Sequence, residues 1–185
     1  MENVVSPQKQ TNYSFKLLFD ISEIKKYSEE YITKVKPEIL KEENELLELR
    51  PEIIDRGYLK KCELQKAGVW KSPRSKPKIE SNDPDFIREV TKIAFSTYNE
   101  RLKIEVLTLL KGVGWPTASV LLHLFDKELY PIIDFRALES LQCHVENDNY
   151  DFEFWSSYTA ATRNLAKSAN VDMRTLDRAL WTHLK

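Results

Sequence analysis

The apolar residues of this chain repeat at helical spacing and at no other. Ile24, Tyr27, Tyr31 and Val35 recur every three or four positions, and Ile39, Leu40, Leu46 and Leu47 follow in the same period. So do Phe86, Ile87, Val90 and Ile93, then Leu102, Val106, Leu109 and Leu110. Trp155, Tyr158, Thr162 and Leu165 mark a later helix, and Met173, Leu176, Leu180 and Leu184 the last, with Asp172 placed to cap it. No segment alternates with a period of two, so strands have no sequence basis. Only four glycines occur in 185 residues, and Leu, Glu, Lys and Ala are abundant. The fold class expected is all-α. The length fits one domain with a real core.

Punctuation sets the expected boundaries. Residues 1–19 carry Pro, Gln, Asn and Ser without periodicity and read as an irregular N-terminal arm; residues 20–185 read as a single helical domain. Pro37 ends one helix and starts the next, and Pro51 punctuates again. A third helix is expected through Ile54, Tyr58 and Cys62, stopping near Gly68. Gly68 to Asp83 is the one long loop expected, rich in Pro, Ser and Lys yet holding Trp70. Asn82-Asp83-Pro84-Asp85 is a helix-start cluster.

Net charge is −1, so total charge does not point to nucleic acid. Its distribution is uneven. Lys60, Lys61, Lys66, Lys71, Arg74, Lys76 and Lys78 face only Glu63, whereas Glu38, Glu42, Glu43, Glu45 and Glu48 face only Lys36 and Lys41. Cys62 and Cys143 are far apart and belong to no C-x-x-C pair, so thiolates alone supply no zinc or iron–sulfur site. The first residues show no secretory pattern and no apolar run reaches membrane length, so a cytoplasmic protein without a membrane partner is expected. His144 and His183 have no partner at a spacing useful for metal binding, and His123 reads as a structural histidine.

The most informative segment is Leu109-Leu-Lys-Gly-Val-Gly-Trp-Pro-Thr-Ala-Ser-Val-Leu-Leu-His-Leu124. An apolar helix is expected to end at Lys111, and Gly112-Val113-Gly114 to turn the chain, because glycine takes positive φ cheaply. Pro116 sits at the start of a second helix, where a missing N–H costs nothing. The result is a helix–hairpin–helix over 102–125. Free N–H groups of the turn and of the next helix's first turn, Gly112, Val113, Gly114 and Thr117 among them, suit a phosphate without regard to base sequence. Beyond it, Tyr130-Pro-Ile-Ile-Asp134 precedes a helix over 134–142, with Asp134 at its N-cap. An aspartate there caps a helix in most proteins. The Gly-Val-Gly turn by itself belongs to many nucleic-acid-binding proteins.

Taken together, Gly-Val-Gly, Thr117-Ala118, an apolar helix and an aspartate 22 positions after Gly112 resemble the helix-hairpin-helix DNA glycosylase superfamily over residues 105–141. Tyr130-Pro-Ile-Ile-Asp134 is similar to the same step of its adenine-mismatch members. The resemblance implies a two-lobed helical fold and a double-stranded DNA partner. It implies a nucleotide flipped from the stack, with Asp134 as the catalytic carboxylate that hydrolyses its N-glycosidic bond. Bifunctional members carry a Schiff-base lysine where Pro116 stands here, so base removal without strand cleavage is expected. The cysteines exclude the cluster some members hold. A monovalent cation at the hairpin, common in the family, is neither supported nor opposed. Lys71, Arg74 and Arg136 are candidates for DNA contact, and Trp70, Trp115, Tyr98 and Tyr130 for stacking on the base, whereas Trp155 lies in the helical period and reads as core. The alternative is a non-catalytic helix-hairpin-helix module in which Asp134 only caps.

Overall fold

The computed structural model describes residues 13–184, and among them every regular element is helical. Ten α-helices follow in order: α1 Ile24–Lys34, α2 Pro37–Arg56, α3 Lys61–Lys71, α4 Lys76–Glu80, α5 Pro84–Ser96, α6 Glu100–Leu107, α7 Trp115–Phe125, α8 Phe135–Ser140, α9 Phe152–Ala169 and α10 Met173–Thr182. Local chemistry sets many of the starts. Asp83, Asn99, Asp151 and Asp172 each accept a first-turn backbone N–H at the N-cap of α5, α6, α9 and α10. No helix among the described residues is long and apolar enough to cross a membrane.

The first and last helices of the described residues meet. Helix α1 packs along α10, which also packs on α8 and α9. The middle helices form a second group, with α3 on α7, α5 on α6, and α6 on α7. Helix α2 packs on α3 and α7. Helix α7 is buried on all sides from Thr117 to Phe125, which explains why its sequence is apolar all round. Trp155 is fully buried and stacks on Tyr130 with ring centroids 5.3 Å apart.

Several boundaries depart from the sequence pattern. Pro51 does not stop a helix: α2 runs through it to Arg56, and the break falls at Gly57 with φ +78°. Tertiary anchoring holds the helix there. Arg50 donates from Nε to Leu124 O and from Nη2 to Asp126 O, both at 2.8 Å, and so ties α2 to the end of α7 beside the proline. The segment Gly68 to Asp83 is not a loop. Helix α3 continues to Lys71, a 3-10 turn covers Pro73–Ser75, and α4 follows, with both prolines in first-turn positions. Gly68 lies inside α3 because Ile79 presses against it; a Cβ there would stand 2.2 Å from Ile79 Cδ1. The helix before the hairpin ends at Leu107 rather than Lys111, and tighter turns carry the chain on through Leu109 and Leu110. The helix after Asp134 ends at Ser140 rather than 142.

Residues 1–12 of the expected arm lie outside the described residues. Residues 13–19 form no helix, but they are tied to the body: Lys16 and Leu18 N–H donate to Leu141 and Ser140 O, and Phe15 packs on Phe154 and Tyr158.

Candidate active site

The hairpin is clamped from behind. Gly112 turns with φ +81°, and a Cβ on it would meet Ile79 Cγ1 at 2.9 Å, Lys78 Cβ at 3.0 Å and Ile79 N at 3.1 Å. Ile79 is thus wedged between Gly68 and Gly112. Asn82, 4% exposed, completes the clamp: its Oδ1 accepts Lys111 N–H at 2.8 Å and its Nδ2 donates to Lys111 O at 2.9 Å and to Ile79 O at 2.9 Å. The sequence marked Asn82 only as part of a helix-start cluster. Gly114 is the N-cap of α7 and brings no side-chain cap, so the first-turn N–H groups are left for another acceptor. Val113 and Thr117 are both buried, and Val113 N–H already donates to Leu110 O at 3.0 Å, so the turn closes on itself there and Val113 has no free N–H for the phosphate contact its sequence position suggests. A cation held by the hairpin carbonyls would have to share two of them: Leu110 O already accepts Val113 N–H, and Lys111 O accepts Asn82.

Asp134 sits where an extended segment enters α8. Its Oδ1 accepts Arg136 N–H at 3.1 Å, which is the cap, and its Oδ2 accepts from Lys71 Nζ at 2.9 Å. The ion pair is mostly shielded, with 14% of the Lys71 side chain and 20% of Asp134 exposed. Lys71 arrives from the end of α3, so the pair joins the middle helices to α8. Ser119 fixes the approach from within, accepting Ile133 N–H at 2.9 Å.

Two spaces share this pair as a common wall. On one side lies a cavity of about 170 Å³, lined by Tyr31, Trp70, Ile132, Arg174, Asp177 and Trp181 together with Asp134 and Lys71. On the other lies an open groove of about 680 Å³, lined by Arg74, Gly114, Trp115, Pro116, Phe135 and Tyr150 as well as the same pair. Arg74 also borders a shallow depression over the hairpin, with Lys78, Lys111, Gly112 and Gly114. The groove thus leads from Asp134 to the hairpin past basic side chains, with Asp148 on its far wall.

The basic stretch of the sequence is therefore divided. Lys60 and Lys66 are spent on Glu52 and Glu45 of α2, whereas Lys71, Arg74 and Lys78 line the groove or the depression. Arg136 is not directed to either space; its guanidinium lies over the Phe135 and Trp181 rings, 4.7 Å from the latter. Of the stacking candidates, Trp70 borders the cavity and Trp115 the groove. Tyr98 and Tyr130 do not join them. They border a separate space beside Glu100, Lys103 and Asp126, Tyr98 fully exposed and Tyr130 buried in the core against Trp155. Tyr130 faces inward because aromatic burial outweighs any placement near Asp134 that its sequence proximity suggests. His123 is buried with Nδ1 2.6 Å from Tyr130 O; burial lowers its pKa, so the ring is neutral and Nδ1–H donates.

Sequence reasoning missed the buried network behind Tyr31 and Arg174 of the cavity wall. Glu43, fully buried on α2, accepts Tyr31 OH at 2.7 Å and Arg178 Nη2 at 2.6 Å, and also contacts Arg174. Burial would push its carboxyl up, but Arg174 and Arg178 outweigh that and hold it below the ordinary glutamate range. Arg174 also pairs with Asp177 at 2.8 Å, and Asp177 Oδ1 accepts Ile132 N–H at 3.3 Å. This network knots α1, α2 and α10 to the segment that delivers Asp134. Glu43 lay inside an acidic run, and nothing local separated it from its solvent-facing neighbours.

No group of His, Cys, Asp and Glu side chains among the described residues is arranged to hold a metal ion. Comparison with protein-family models, with curated proteins and with solved structures finds no match to this chain.

Proposed function

We propose that this chain is a DNA N-glycosylase that removes a damaged, mismatched or modified base by hydrolysis and leaves the strand intact. The observation that carries the proposal is the shared wall. Asp134 and Lys71 lie between a small, partly open aromatic cavity and a wider groove that leads to the hairpin. A flipped nucleotide spans such a boundary: its base goes into the cavity, its sugar stands at the carboxylate, and its phosphates lie along the groove.

The chemistry follows from charge. As the N-glycosidic bond lengthens, its electron pair goes to the base and positive charge grows at the sugar C1′ and ring oxygen. The Asp134 carboxylate opposes that charge and accepts a proton from the water that adds to C1′, and the departing base gains a proton. Lys71 keeps the carboxylate oriented and adds a cation beside the sugar phosphates. An ammonium engaged in this ion pair has no lone pair with which to attack, so water is the nucleophile.

A second reading has its own observation. Both Asp134 oxygens already have structural partners, Arg136 N–H and Lys71, as a purely architectural aspartate would. The chain is then a non-catalytic helix-hairpin-helix module that binds duplex DNA. One experiment separates the two. Labelled duplexes carrying a panel of lesions, mismatches and modified bases are incubated with the protein and then treated with hot alkali to cut abasic sites. Release that disappears in Asp134→Asn supports the enzyme. Binding unaffected by that change, with no release from any duplex, leaves the module.

A further inference from the structure

We infer that the cavity behind Asp134 is built for a single six-membered ring with a carbonyl on its leading edge, an oxo-pyrimidine such as uracil or thymine, and excludes purines. The inference rests on the proposal that Asp134 faces a flipped nucleotide, and it supplies the substrate class.

Size is the first argument. The cavity measures about 170 Å³. An apolar cavity of roughly 150 Å³ holds one benzene ring, whereas sites for larger ligands run to roughly 300–1,000 Å³. One ring fits with little to spare, and a fused bicyclic base with its exocyclic groups does not.

Rigidity is the second. The cavity could admit a purine only by moving its walls, and they are tied. Tyr31 is bonded to Glu43 and lies under both guanidiniums, 5.6 Å from Arg174 and 5.0 Å from Arg178. Trp181 packs edge-on to Tyr31 at 5.2 Å and carries Arg136 on its ring. Ile132 is pinned through its N–H to Asp177.

Polarity is the third. Among the lining side chains, the buried polar atoms without a hydrogen-bond partner among the described residues include Trp70 Nε1 and Arg174 Nε, and both are donors. The acceptors are engaged: Asp177 holds Arg174 and Ile132 N–H. An orphan buried donor is satisfied by an acceptor on the ligand. The edge of a pyrimidine that enters first lies opposite its glycosidic nitrogen, where uracil and thymine carry a carbonyl and cytosine an amine. The amine would set donor against donor.

The test uses the full chain and two readouts. The first is quenching of tryptophan fluorescence by free uracil, thymine, cytosine, adenine and guanine. The second is release of the same bases from duplexes that present each in a mismatch. Uracil or thymine should bind and be released in preference to the other three. Trp70→Phe keeps the ring but removes the N–H, and should shrink the preference for uracil over cytosine about three- to tenfold. Release of a purine, or a preference unchanged by Trp70→Phe, overturns the inference and leaves Asp134-dependent hydrolysis standing. Binding of free uracil that weakens in Trp70→Phe supports the cavity assignment even when no duplex is cut, an outcome that removes the enzyme alone. Failure of free uracil to bind, with no release from any duplex, overturns both.

Discussion

Ile79 is the wedge that holds α3, with Trp70 and Lys71, against the hairpin, and a double-mutant cycle reads its fit. Alanine at position 68 would place its Cβ 2.2 Å from Ile79 Cδ1 and 3.6 Å from Cγ1. Only the terminal methyl clashes. Alanine improves helix propensity by about 1 kcal/mol, but overpacking a filled core costs about 1–3 kcal/mol. Gly68→Ala should therefore destabilise the wild-type chain by up to about 2 kcal/mol. Ile79→Val deletes Cδ1 and alone costs about 0.5–1.5 kcal/mol. In that background the new Cβ meets only ordinary contacts, and Gly68→Ala should stabilise by about 1 kcal/mol. The coupling is favourable by about 1–3 kcal/mol. Gly112→Ala is the control, because its obstacles are Cγ1, the Lys78 Cβ and the Ile79 backbone, which valine leaves in place, and because φ is +81°. The left-handed backbone adds about 1–2 kcal/mol for any L side chain. Its cost should be the same with isoleucine or valine at 79. Urea unfolding of the six proteins measures every term. A Gly68→Ala penalty that is equal in both backgrounds would refute the wedge.

Asn82→Ala strips both partners from the Lys111 peptide, so it should cost about 1–3 kcal/mol in urea unfolding and weaken binding to all duplex sequences alike. An unchanged affinity would show that the clamp does not set the hairpin's phosphate contact. Borohydride should trap no covalent adduct with substrate DNA, since Pro116 leaves no lysine at the start of α7 and Lys71 is engaged by Asp134. An adduct lost in Lys71→Ala would instead give Lys71 a strand-cleaving role. His123 supplies the pH dependence. Its folded pKa is depressed by burial, so its contribution to stability is complete above the usual 6.5 and is lost as pH falls below that value toward the depressed one. Unfolding free energy should drop on acidification from pH 6.5, and the drop should be smaller in His123→Asn.

How much was legible in the sequence depended on how local the determining physics was. The all-helical class followed from a period that every segment shares, and the caps at Asp83 and Asp172 from a carboxylate two or three residues from the backbone N–H it accepts. The cap at Asp134 was legible because the N–H it accepts lies two residues on. Pro51 misled because the force that keeps α2 whole comes from Arg50 reaching α7 more than 70 residues away. Trp70 was read as a loop residue because Gly68 looks like a helix end, yet its missing Cβ serves Ile79. Tyr98 and Tyr130 are aromatic like Trp70 and Trp115 but lie elsewhere, and no local pattern distinguishes them. The cavity's far wall draws Tyr31, Arg174 and Asp177 from α1 and α10, with Glu43 of α2 bonded behind them, and such a set is visible only once those helices have met.

Capping and the proposed catalysis by Asp134 do not compete, because they use different oxygens. Oδ1 holds Arg136 N–H and fixes the direction of the carboxylate, while Oδ2 meets Lys71 at the boundary between cavity and groove. The cap is thus what orients the charge. Asparagine caps about as well as aspartate, whereas alanine forfeits about 0.5–2 kcal/mol. Asp134→Asn should leave the cap intact and remove the charge, so its stability should fall only through the Lys71 ion pair. That pair is one-seventh to one-fifth exposed, and the neutral amide still accepts from Lys71, so the loss should lie between the roughly 1 kcal/mol of an exposed pair and the roughly 3 kcal/mol at the low end for a buried one. Asp134→Ala should lose the cap as well. Under the proposed chemistry the two variants release base equally poorly while differing in stability. If asparagine retains base release and alanine loses it, Asp134 acts through architecture and its charge is not the catalyst.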